Sequence, residues 1–129
     1  MIITIIKSIA SLFREKNSQQ IVLQNKFPFD IILEKLEKIL SSGNHFAQAK
    51  VITNLRVNLG DNNYDTFIKE LRSVNMWGAS GAVWEVYFED MHLEYRFAKE
   101  MIRLIDLMKQ LGINFYASNS IRKIFMEDL

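Results

Sequence analysis

Apolar positions recur along most of the chain at the three- and four-residue spacing of a helix with one buried face. Ile2, Ile5, Ile6, Ile9, Leu12 and Phe13 step in this way. A core-facing helix is the first reading of that stretch. A short strand over Met1 to Ile6, favoured by its β-branched residues, and a membrane-surface helix are the rivals. Residues 18–27 are polar without a period and read as a connector, or as a short strand around Ile21 to Leu23. Pro28 suits a first helical turn, and Phe29, Ile32, Leu33, Leu36, Ile39 and Leu40 form a continuous stripe opposite Glu34, Lys35, Glu37 and Lys38. Ser41 to Asn44 supplies a C-cap glycine and an N-cap asparagine, after which Phe46, Ala49, Ile52, Leu55 and Leu59 carry the period to Gly60. So short a loop predicts an antiparallel helical hairpin.

A third helix is expected from Asn62 or Asn63, with Asp65 complementing its dipole and Tyr64, Phe67, Ile68, Leu71 and Val74 on one face. After the turn Trp77-Gly78-Ala79-Ser80-Gly81, the run from Ala82 to Phe88 is rich in strand formers and admits a short extended segment. Phe88, Met91, Tyr95, Ala98, Ile102 and Ile105 then step by three and four, widened by Phe97, Met101, Leu104 and Met108, so the longest helix is expected from Phe88 to Leu111. Gly112 ends it, residues 113–117 connect, and Ser118 or Ser120 opens a last helix with Ile121, Ile124, Phe125 and Leu129 inward. The fold class is therefore mainly α: a single helical domain over residues 1–129, a bundle of five to six helices with one long helix near the C-terminus.

Composition narrows the picture. With 129 residues, 49% hydrophobic and 24% charged, the chain can bury a core without staples, and the absence of cysteine suits a reducing, cytoplasmic setting. Lys7 interrupts the N-terminal apolar run and no stretch reaches the roughly 20 apolar residues a span requires, so neither a membrane span nor a signal peptide is expected. A net charge of +1 argues against a nucleic-acid partner. The charge is uneven: residues 61–94 hold 2 basic and 7 acidic side chains, whereas the segments on either side are net basic.

Candidate chemistry is sparse. Glu89-x-x-His92 matches half of a di-iron helix motif, but the second histidine, His45, has Ser42 three residues before it. Glu85, Glu89, Asp90, His92 and Glu94 offer oxygen ligands for one cation, without the spacing of a calcium loop; a solvated acidic face is the plainer reading. Gly78 and Gly81, three apart, lack the further glycine or Gly-Lys-Ser ending of a phosphate loop. Six methionines and nine phenylalanines fall mostly on the stripes above, as core rather than as a cofactor pocket. The expectation is a protein without catalysis, metal or cofactor. Trp77 and Trp84 flank the glycine turn, and tryptophan is enriched at the energetic centres of protein interfaces. Next to them, Glu85, Glu89, Asp90 and Glu94 are four carboxylates in ten residues with no Lys or Arg among them. Together these six are the candidate partner-binding residues.

The segment from Met76 to Glu85, MWGASGAVWE, preceded by a helical hairpin, resembles a turn found in small, mostly helical bacterial proteins. Some proteins of that kind are immunity proteins of contact-dependent or polymorphic toxin systems. The resemblance implies a chain that binds one cognate toxin domain and blocks it. A small helical regulator or adaptor is the alternative.

Overall fold

The computed structural model describes residues 17–129. The expectations for residues 1–13 lie outside them. Among the described residues the chain is mainly α, with no strand. Residues 17–24 are helical (α1), followed by α2 (Lys26–Ser42), α3 (Phe46–Gly60), α4 (Tyr64–Leu71), α5 (Val74–Trp77), a 3₁₀ turn at Val83–Glu85, α6 (Met91–Gln110) and α7 (Ser118–Glu127). The helix at 17–24 replaces the connector or strand expected around Ile21 to Leu23. It stops at Asn25, whose side-chain amide donates to the Ile21 carbonyl at 2.8 Å.

Helix α2 is the central element, packed between α3 on one side and α6 on the other, with α4 against α3 and α7 against α6. Its stripe accounts for this: Phe29, Leu33, Leu36, Ile39 and Leu40 are all buried. Pro28 lies in its first turn, where the missing N–H removes no intrahelical bond. The hairpin partner α3 is tied to it by Arg56, which donates to Asp30 at 3.0 Å and Glu37 at 3.3 Å. The hydrogen bond to Asp30, ahead of the charges of Glu37 and Glu34, raises the Arg56 pKa further. Buried residues of α1 to α7 join one contiguous apolar cluster.

The turns differ in detail from expectation. Left-handed backbone falls on Asn44 (φ 64°) and Asn62 (φ 61°), whereas Gly43 keeps φ −89°. Asparagine tolerates that conformation because its short polar side chain bonds locally. Gly43 is required for a different reason: a Cβ there would overlap the Phe88 ring.

The third helix breaks after Leu71, because the Ser73 N–H closes onto Glu70 in a tighter i→i−3 bond and Ser73 itself is extended (ψ 166°) before a new turn starts at Val74. Val74 is thereby rotated out and is 77% exposed, not inward. Residues 82–88 form no strand. Ala82 (ψ 154°) and Val86 (ψ 146°) are extended, but they flank the 3₁₀ turn and have no ladder partner among the described residues.

The longest helix is α6, with 20 residues, starting three residues later than expected because Asp90 caps it. Its buried face is Phe97, Ala98, Met101, Ile102, Leu104, Ile105 and Met108. Met91 and Tyr95 lie off that face, exposed. Phe46, Ile124 and Leu129, also expected inward, are exposed as well. No helix among the described residues is long and apolar enough to cross a membrane.

Candidate functional site

The loop between α5 and α6 is held by its tryptophans. Trp77 is buried, stacks on Phe115 with centroids 4.0 Å apart and planes within 9°, and donates its indole N–H to the Leu71 carbonyl at 2.7 Å. Half-buried Trp84 donates to the Gly78 carbonyl at 2.6 Å. An indole so occupied serves folding, so Trp77 is not a surface anchor and Trp84 offers only part of its ring. Gly81 turns the chain at φ 90°, and its carbonyl accepts from Gln48 of α3 at 3.0 Å. The loop then reaches Phe88, whose buried ring packs edge-on against His45, centroids 4.9 Å apart, and tilts onto Phe97 at 5.1 Å. His45 Nε2–H donates to the Tyr87 carbonyl at 2.7 Å, joining the start of α3 to this loop.

Around that join lies an open polar cleft of about 430 Å³ that includes His45, Tyr87, Glu89 and Asp90. Two of the four candidate carboxylates have structural work. Asp90 accepts from the N–H groups of His92 at 2.8 Å and Leu93 at 3.2 Å, capping α6. Glu94 in the first turn accepts from the Phe88 N–H at 3.0 Å. Its pKa is raised, chiefly because burial strips water from the carboxylate and further by the nearby Asp128, against the lowering effects of the Phe88 N–H and His45.

Glu85 and Glu89 are exposed and make no side-chain hydrogen bond or ion pair among the described residues. Glu85 ends the 3₁₀ turn and Glu89 lies in the loop, so the two share no α-helical face on which to repel, and Asp90 and Glu94 sit where the dipole of α6 favours negative charge. Glu89 precedes α6, so it shares no helical face with His92. Among the described residues, no group of three His, Asp or Glu side chains comes together to hold a metal ion.

The structure adds three residues to this end. Tyr87 is 71% exposed and Met91 is 85% exposed, each next to the carboxylates in sequence. Asp128, at the C-terminal edge of α7, comes beside Glu94. The phenol of Tyr87 was legible as a large amphipathic side chain within a strand-like run, whereas nothing local marked Asp128. The result is an acidic stretch with apolar points on it, in which no Lys or Arg occurs from Ser73 to Tyr95. Carboxylates placed in this way give the stretch a negative potential that falls off with salt. Comparison with known proteins finds no matching family model, no matching curated protein and no matching solved structure.

Proposed function

We propose that the chain is a binding protein without catalysis whose acidic end docks a basic protein partner, and that the partner is a cognate toxin domain which the chain neutralises as an immunity protein. One observation carries the docking reading: exposed Tyr87 and Met91 lie among Glu85, Glu89 and Asp90 on a stretch with no cation of its own. A large aromatic side chain beside carboxylates that form no ion pair among the described residues is suited to fill an apolar pocket on a partner bearing Lys or Arg. Tyr87 and Met91 take the anchoring role assigned to tryptophan from sequence. The toxin identity rests on the resemblance of the segment from Met76 to Glu85, and carries the lesser weight.

The test begins with capture of the partner from the native host and its identification by mass spectrometry. Association with the wild type and with Glu85→Lys/Glu89→Lys is then measured at low and high salt, after circular dichroism has verified the fold. The double reversal is expected to lower the association rate at least about tenfold at low salt, with the difference shrinking as salt screens the charges. An unchanged rate removes this surface from the interface. Expression of the captured partner alone should arrest growth, and co-expression of the chain should restore it. A harmless partner points to the regulator or adaptor instead.

A further inference from the structure

One turn beyond the acidic end, helix α6 changes sign. Arg96, Lys99 and Arg103 project along one face, at steps of three and four, toward Lys35 of α2. The four cations and Tyr95 line an open cleft of about 370 Å³ between the two helices. Under them lies Glu100, only 6% exposed, the single charged side chain among the buried described residues. Its Oε1 accepts from Arg103 and lies 3.9 Å from Lys35, while its Oε2 is buried with no hydrogen-bond partner. A carboxylate buried in this way is a poor device for stability, but it gathers cations from two helices at one place. Arg96 and Lys99 form no ion pair among the described residues. Four cations against one carboxylate leave the cleft at a formal +3.

We propose that this cleft binds a nucleoside di- or triphosphate, with the phosphates on Arg96, Lys99 and Arg103 and the base against Tyr95. Arg96 to Arg103 covers about 10 Å of helix at 1.5 Å per residue, longer than one phosphate and comparable to a short phosphate chain. Guanidinium groups match phosphate oxygens two at a time, and ammonium groups add compact charge. Tyr95, 47% exposed at the rim, presents a ring on which a base can stack. The cleft volume falls within the roughly 300–1,000 Å³ of small-ligand sites. A nucleic-acid strand fits less well, because Glu94 and Asp90 cut off the positive track one turn away and the whole chain carries only +1.

The experiment is calorimetric titration of the full chain, without divalent cations, using ATP, inorganic tripolyphosphate and adenosine. ATP is expected to bind one to one, and Arg96→Gln/Lys99→Gln to weaken it roughly ten- to a hundredfold, the value of one or two charged hydrogen bonds. Lys50→Gln/Lys69→Gln, with the same change of charge at exposed positions elsewhere, should leave binding unchanged. Tyr95→Ala should weaken ATP but not tripolyphosphate. The proposal is overturned by an absence of ATP binding, by equal loss in the two double variants, or by tripolyphosphate binding as tightly as ATP with Tyr95→Ala silent.

Discussion

Two charged surfaces share helix α6, and the fold uses their charges in opposite ways. At the acidic end, Asp90 and Glu94 are bound to backbone N–H groups, whereas Glu85 and Glu89, the carboxylates with no folding task, stand in water. In the basic cleft the arrangement is inverted, with one carboxylate buried as a hub and the cations left half or fully exposed around it. Which charges the fold engages is therefore marked by their hydrogen-bond partners, not by their density along the sequence. Glu85 and Glu89 in the first region, and Arg96 and Lys99 in the second, are what remains for a ligand.

The contrast can be broken most severely at Phe88. That ring seals the acidic end against His45, Phe97 and the space at Gly43, so Phe88→Ala should cost about 3–5 kcal/mol in denaturant unfolding. A loss below about 1 kcal/mol would show that the loop is seated by something else. In the cleft, Glu100→Met should leave stability unchanged or raise it by up to roughly 4 kcal/mol, because Lys35 and Arg103 are half-exposed and return to water when the carboxylate goes. A marked loss in the same unfolding assay would make Glu100 a structural necessity and remove its interest as a hub.

Asp90→Ala should cost about 1 kcal/mol as a lost cap, while Glu85→Gln/Glu89→Gln stays within about 0.5 kcal/mol. Equal effects in thermal melting would erase the distinction between the two kinds of carboxylate. The smallest effect concerns pH. Because folding raises the Glu94 pKa, its protonated form is the one the fold favours; that contribution is present below the ordinary glutamate range and is lost as pH rises through the raised value. Glu94→Gln keeps an acceptor for the Phe88 N–H, so it should melt at or above the wild-type temperature at neutral pH, with the gap closing in acid.

Much of the helical framework was legible, because α2, α3 and α6 each carry a stripe that only one helical face can bury. What failed were offsets. Counting the α6 stripe from Phe88, which lies in the loop, extended it through Met91 and Tyr95, although helical geometry begins only after Asp90. Val74 continued a period that the chain itself interrupts at Arg72 and Ser73. The candidate site was legible where it is local: Glu85, Glu89 and Asp90 lie in one loop. Asp128 beside Glu94, and Lys35 facing Arg103, are products of helix packing between segments far apart in the chain. Trp77 shows the converse error, since a conspicuous residue beside a turn was the one the core required.

The two indoles have a consequence beyond closing their turn. The loop from Gly78 to Glu89 lacks the repeating hydrogen bonds of a sheet or a long helix, so its order has to come from individual contacts. Here Trp77 and Trp84 anchor its entry, Gln48 holds its tip through the Gly81 carbonyl, and His45 holds its exit at Tyr87. Its conformational entropy is thus surrendered during folding, before any encounter. A partner meeting Tyr87 and the neighbouring carboxylates finds a surface already in shape, so docking should proceed nearly as a rigid-body event.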